Sequence, residues 1–272
     1  SDKFLYLTET KSYQLPTPPQ MHNKGNYIIS LSDFTKWLAQ QAEELDVEIY
    51  PGFSASEVLY DENNKVVGIA TCDMGRLKDG SEGPNFERGI ELRAKQTVFS
   101  EGCRGHLGKT LMEKFELNSN NSPQTYGIGI KELWEVTPEN SKPGSIMHTT
   151  GWPLDNETYG GSFLYHLDDN KISIGFVIGL DYKNPYLSPY LEFQRFKHHP
   201  AIKKLLEGGR RINYGARALN EGGVQSLPKL TFPGGMLVGC EAGFLNVPKI
   251  KGTHLAMKLS LIHISEPTRP NC

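Results

Sequence analysis

The run from Pro233 to Met257, PGGMLVGCEAGFLNVPKIKGTHLAM, brings together an apolar triplet, a glycine turn and a glycine-threonine pair. Met236-Leu237-Val238 predicts a short buried strand, Gly239 a tight turn, and Gly252-Thr253 the opening of a helix. A helix N-terminus carries unpaired backbone N–H groups and about half a positive charge. It suits an anion, or a group that becomes anionic. A reduced flavin is such a group, because negative charge gathers around N1 and the C2 carbonyl. Glycine at the helix entry removes the Cβ and lets a flat ring approach the backbone. An ordinary strand-turn-helix of an α/β protein has the same signature.

A second segment, KQTVFSEGCRGHLGKTL from Lys95 to Leu111, repeats the pattern. Thr97-Val98-Phe99-Ser100 predicts a buried strand. Glu101-Gly102-Cys103-Arg104-Gly105-His106 predicts a turn into a helix. Ligands of open α/β sheets sit in the crevice at the carboxyl ends of parallel strands. Two such turns, about 140 residues apart in the chain, point to one shared site more strongly than either does alone.

Several longer segments carry a specific resemblance. They are GNYIISLSDFTKWLAQQAEELDVEIYPG (25–52), FSEGCRGHL (99–107), PQTYGIGIKELWEV (123–136) and GWPLDNETYGGSFLYHL (151–167), followed by GLDYKNPYLSPYLEFQRFKHHP (179–200), YGARALNEGG (214–223) and NVPKIKGTHLAMK (246–258). With them the chain resembles the middle portion of the electron transfer flavoprotein–ubiquinone oxidoreductase family, from its first residues to about Ser260.

The resemblance implies an α/β fold, a partial FAD-binding domain of the two-dinucleotide type with an inserted mixed β-sheet that binds ubiquinone. It implies the second half of the FAD domain over 1–122, the ubiquinone domain over 123–217 and a return to the FAD domain over 218–260. Glu101 and Gly102 would turn the chain at the FAD. Gly239 and Cys240 fall where relatives often have Gly-Asp, so a direct carboxylate contact would pass to Glu241. Gly252 and Thr253 would lie along the flavin ring, Thr253 offering its hydroxyl or N–H; a plain N-cap is the other reading of Thr253. Phe53 and Ser54, after a strand, become candidates to flank the adenine, or simple packing residues.

By the same resemblance Gly160 and Gly161 are the ubiquinone contacts. Paired glycines let a flat headgroup lie against backbone, although residue type alone favours a bulge or turn entering a strand. Trp152, Tyr159, Phe163 and Tyr165 are available to wall an apolar slot for the isoprenoid tail, and are equally ordinary core residues. The family carries a 4Fe–4S cluster whose ligands this chain lacks. It takes electrons from reduced electron transfer flavoprotein and lies on the surface of the mitochondrial inner membrane, matrix side, or of a bacterial membrane, as a monotopic protein. Rival readings are a flavin monooxygenase or geranylgeranyl-reductase-like enzyme, and a truncated, non-catalytic binding module.

The elements needed to position these residues are legible in outline. Tyr27 to Ile29 and Val47 to Tyr50 predict strands around a helix capped by Ser32 or Asp33 and ending near Leu45. Phe34, Trp37, Leu38, Gln41 and Leu45 form its sheet-facing side. Glu57–Tyr60 and Val66–Thr71 predict a hairpin, Gly75–Asn85 a loop, and Gly89–Ala94 a strand. In the insert, Tyr126–Ile130, Ser145–Thr150, Gly161–His166 and Lys171–Gly179 predict strands of a sheet covered on one face. Pro189–Phe196 and Ala201–Leu206 predict helices.

At 272 residues the chain can bury a sizeable core. A net charge of −2 with both signs interspersed gives no nucleic-acid surface. Cysteines 72, 103, 240 and 272 are too widely spaced for a disulfide framework or a cluster. His148, His166, His198, His199 and His254 share no metal-ligand spacing. No apolar run of about 18 residues is present, and the first residues read as neither signal nor transit peptide. GxGxxG is absent, so the chain reads as an internal fragment, inactive and aggregation-prone alone. SLIHISEPTRPNC departs from the family pattern, and residues 261–272 read as a non-native tail.

Overall fold

The computed structural model describes residues 2–265, with side chains described through Leu261. Two compact units emerge. One takes the N-terminal residues through Gln41, Thr125–Glu221 and Val247–Ile250; the other takes Ala42–Gln124, Gly222–Asn246 and the residues from Lys251 onward.

The first unit is a seven-stranded mixed sheet. Its strands are β1 (Asp2–Leu7), β2 (Ser12–Leu15), β9 (Tyr126–Glu135), β10 (Ile146–Gly151), β11 (Gly160–His166), β12 (Lys171–Gly179) and β13 (Arg210–Asn220), in the spatial order β13-β9-β12-β11-β10-β1-β2. All neighbours are antiparallel except β1 and β10. Helices α3 (Pro189–His198) and α4 (Pro200–Leu206) cover one face. Alternation selects that face: Ile172, Ile174, Phe176 and Ile178 of β12 are all buried and pack with Phe193, Phe196 and Ile202. Ser188 caps α3, its Oγ accepting from Leu191 N. His199 starts α4, its Nδ1 accepting from Ala201 N at 3.2 Å. His199 thus closes α3 and opens α4. Ile178→Val, which removes one fully buried methylene, should lower stability by about 1 kcal/mol, read as a fall in the urea midpoint at unchanged slope.

The second unit holds three small sheets: β3 (Ala55–Tyr60), β4 (Val66–Thr71) and β7 (Glu91–Arg93); the hairpin β5 (Met74–Arg76) and β6 (Glu82–Glu87); and β14 (Thr231–Phe232), β15 (Gly235–Leu237) and β8 (Thr97–Phe99). The β3–β4 turn is fixed by Asp61, whose Oδ1 accepts from Asn63 N and Lys65 N, both at 2.9 Å. Helix α2 (His106–Lys114) buries Leu107 and Leu111 against Phe99, Phe232 and Leu237. Helix α5 (Thr253–Ser265) follows the glycine entry as expected. It enters the segment read as a non-native tail; Glu266 to Cys272 lie outside the described residues.

Some expectations are corrected. Tyr27–Ile29 and Val47–Tyr50 are not strands. Tyr27, Ile29, Val47, Ile49 and Tyr50 are exposed, and among the described residues no strand pairs with these segments, so an apolar run has no ladder to join. Between them lies α1 (Leu31–Glu43), capped by Ser30 rather than Ser32 or Asp33: Ser30 O accepts from Phe34 N and Ser30 Oγ from Asp33 N. Its predicted buried face is not buried. Trp37, Leu38 and Leu45 are exposed, and Phe34 stacks on Trp37. The polar loop 75–85 is largely the β5–β6 hairpin. Strands β1, β2 and β13 were not predicted.

Candidate functional site

Strands β8 and β15 run parallel, Leu237 opposite Phe99, and Val238 N donates to Phe99 O at 3.0 Å. Their carboxyl ends deliver the two predicted turns, Glu101-Gly102 and Gly239-Cys240-Glu241, side by side. Glu101 crosses to the start of α2. Its Oε2 accepts from Gly108 N at 2.8 Å and its Oε1 lies 3.3 Å from His106 Nδ1. The carboxylate thereby occupies the anion-favouring end of that helix. Gly102 has φ +88 and open space where a Cβ would point, so the backbone beside Glu101 admits close approach by a flat or phosphorylated group.

Glu241 goes inward. It is only 4% exposed, its Oε2 has no hydrogen-bond partner, and it accepts from the Glu101 backbone N–H. A Cβ on Gly105 would lie 2.3 Å from Glu241 Oε2 and 2.5 Å from Glu101 Oε2; one on Gly108 would lie 1.7 Å from Glu241 Oε1. Glycines three apart at the α2 entry therefore make the socket into which both acids fit. Burial, and then the Glu101 charge, push the Glu241 carboxyl up to about 7. The Gly105/Gly108 socket was missed from sequence; small residues spaced three apart at a helix start were its only signal.

The Gly239–Ala242 turn also meets the start of α5. Cys240 Sγ lies 3.8 Å from where a Gly252 Cβ would be, and Gly239 faces Ala256. Gly252 O accepts from Ala256 N at 3.0 Å, so Gly252 takes the cap position and Thr253 is the first helical residue. Burial raises the thiols of Cys103 and Cys240, and Cys240 adds to the rise at Cys103. The fold thus brings together Glu101, Gly102, Gly239, Cys240, Glu241, Gly252 and Thr253. Phe53 and Ser54 lie before β3, exposed, with contacts of another kind: Phe53 is edge-on to Tyr50, and Ser54 O accepts from Cys72 N at 2.8 Å.

A second candidate surface belongs to the seven-stranded sheet, on the face opposite α3 and α4. Register puts Gly161, Val177 and Gly129 in one row, Phe163, Gly175 and Lys131 in the next, and Tyr159 beside Gly179 and Gly127. The missing side chains leave a flat floor, with the Phe163 ring laid across Gly175 and stacked on Tyr165 at 4.8 Å. Tyr165 OH meets His148 Nε2 at 3.1 Å. Gly160 and Gly161 do not share a face. Gly160 points to the helix side, where a Cβ would meet Val177 O and Leu154; Gly161 approaches Thr149 O. No bulge separates them. Trp152, grouped in sequence with the aromatic wall, instead joins the helix-side core and packs on His199 and under Arg195.

Comparisons with known proteins follow the same division. A family model described as ETF-QO, ubiquinone-binding, matches residues 126–219, the span from β9 to the end of β13. The chain is 59% identical to the mitochondrial electron transfer flavoprotein–ubiquinone oxidoreductase of Dictyostelium discoideum over 96% of its length, and 59% identical over 96% to that of Homo sapiens. It covers 43% of each of those relatives. Among solved structures, a geranylgeranyl bacteriochlorophyll reductase-like protein from Thermoplasma acidophilum matches 86% of this chain and 52% of its own at a TM-score of 0.65 and 18% identity. The flavin-dependent brominase Bmp2 matches 94% of this chain and 58% of its own at 0.59 and 18%. Those two likenesses establish the fold, a mixed α/β scaffold shared with part of these proteins. The identity maintained through both units carries more: the chain belongs, as a segment spanning about two fifths of its relatives' length, to the electron transfer flavoprotein–ubiquinone oxidoreductase family.

Proposed function

We propose that this chain is the part of an electron-transferring-flavoprotein dehydrogenase that holds one side of an FAD and the headgroup of ubiquinone. The observation that carries the reading is the coincidence of the ubiquinone-binding family match, residues 126–219, with the strands that build the glycine-floored face. In this reading Gly161 lies in the floor under the headgroup, and Phe163 with Tyr165 forms an aromatic wall. Gly160 acts through backbone alone.

The residues around Glu101 fit an FAD. The open flank of Gly102 gives the cofactor a close approach, and the start of α5 offers first-turn N–H groups with their partial positive charge. Cys240 replaces the carboxylate that relatives often place there, and Glu241 is buried against α2. A neutral Glu241 keeps an extra negative charge away from the diphosphate. When bound, the flavin supplies the redox chemistry; this chain's residues orient it and shield it from water. The donor is reduced electron transfer flavoprotein, and a 4Fe–4S cluster is held by residues of the longer protein. The location is mitochondrial, on the matrix side of the inner membrane, reached by surface association. No helix among the described residues is long and apolar enough to cross a membrane.

The test uses the protein extended to the length of its relatives. It should purify with bound FAD and couple oxidation of reduced electron transfer flavoprotein to reduction of a short-chain ubiquinone. Bound FAD with NAD(P)H oxidation and no quinone reduction would favour the monooxygenase-like reading instead. Absence of FAD from the folded protein would leave a binding module.

A further inference from the structure

At one corner of the glycine-floored face the sheet carries acids where a quinone site has no structural need of them. Gly127 and Gly179 are direct cross-strand partners, so the spaces above them lie on the same face. Both spaces are filled by carboxyl groups from elsewhere. A Cβ on Gly127 would lie 2.6 Å from Glu221 Oε1, and one on Gly179 would lie 2.8 Å from Asp181 Oδ1 and 3.4 Å from Tyr159 Cβ. Glu221 follows β13, and its N–H donates to Thr125 O at 2.7 Å. Tyr159 immediately precedes Gly160, and its O accepts from Gly179 N at 2.9 Å.

Glu221 Oε2 is enclosed and has no hydrogen-bond partner. Leaving an ionised oxygen in that state is costly. A protonated carboxyl relieves much of the cost and holds a donor O–H. The titratable groups facing it act in the same direction. Burial, and then the Asp181 charge, raise Glu221; burial, and then the Glu221 charge, raise Tyr159. The Tyr159 ring is exposed and extends from this corner.

We propose that Glu221 is the proton donor for quinone reduction on this face, with Asp181 and Tyr159 linking it to solvent. The inference rests on the quinone reading above. Reduction of a quinone to a quinol takes two electrons and two protons. A bound FAD in its reduced state would supply the two electrons. The Glu221 O–H bond breaks as an O–H bond forms at one quinone oxygen, leaving Glu221 as carboxylate. Water, by way of Asp181, returns a proton to Glu221 for the second transfer. Tyr159 stands beside the pair, within reach of the Glu221 charge, and is not consumed.

The experiment compares full-length wild type and Glu221→Gln with two acceptors: a short-chain ubiquinone, which needs protons, and ferricenium, which takes one electron and no proton. The ratio of quinone to ferricenium turnover should fall about a hundredfold in Glu221→Gln, in kcat rather than KM. Glu221→Asp should recover much of that ratio with a shifted pH profile, and it replaces Glu221→Gln as the deciding variant if the glutamine protein does not fold. An unchanged ratio in Glu221→Gln overturns the proposal, as does an unshifted pH profile of the ratio in Glu221→Asp, or equal loss with both acceptors in either variant. Wild type that reduces ferricenium but no quinone would instead overturn the functional reading beneath it.

Discussion

Replacing Lys197 by methionine should destabilise the protein by about 3 kcal/mol, near the lower end of the range for breaking a buried ion pair. Glu132 is the reason. It is 2% exposed on the helix-covered face of β9, opposite Ile174. Its carboxylate accepts from Lys197 Nζ at 2.8 and 2.9 Å, from Trp134 Nε1 at 2.7 Å and from Arg211 Nη1 at 3.3 Å. Lys197 comes from α3, and its ammonium also lies over the Phe193 and Trp134 rings. Without it the buried charge keeps only the half-exposed Arg211 and the indole N–H. The loss is asymmetric: taking away both charges, as in Lys197→Met with Glu132→Leu, should return most of the stability. Denaturant midpoints of the four proteins in this cycle measure the effect. A single-variant cost below about 1 kcal/mol would mean that Glu132 is solvated and does not tie α3 to the sheet.

That network was not legible in the sequence, and its invisibility has a physical cause. Glu132, Lys197 and Arg211 are 65 and 79 positions apart, and each alone reads as an ordinary surface charge. By contrast, β12 was placed with its correct ends because its alternate residues Ile172, Ile174, Phe176 and Ile178 are all apolar. The strand-turn-helix segments that carry β8 and β15 were legible because their signals are local, whereas their parallel pairing emerges only in the fold. Strand β13 was missed because RRINYGARALN is exposed along most of its length and so lacks a buried face to announce it. Tyr27–Ile29 and Val47–Tyr50 failed in the opposite direction. Apolar β-branched and aromatic runs report a liking for a sheet, and here no described strand meets them. At the candidate flavin turn the residue types of Glu101 and Glu241 were visible. Their shared socket was not, because it depends on what Gly105 and Gly108 leave out.

The socket makes stability depend on pH in a direction unusual for an acid in a protein. The folded-state value of Glu241, about 7, lies above its ordinary 4.5. Below the ordinary value both states hold the proton, and the carboxyl contributes no difference. Between the two values the folded protein keeps a proton that the unfolded chain has lost, so stability falls as pH rises. Above about 7 both states are ionised and the loss is complete, on the order of 3 kcal/mol. Glu241→Gln keeps the shape, stays neutral and can donate to Glu101, so it should be the more stable protein at pH 8 and close to wild type at pH 5. Glu241→Gln removes the one carboxyl in question and leaves every other side chain in place. Denaturation of the FAD-loaded, full-length pair across this range supplies the measurement. Parallel curves would mean that Glu241 ionises like an exposed glutamate and that the two acids are not packed into one socket. Converging curves at low pH would mean that the glycine pair makes room for a neutral acid beside Glu101.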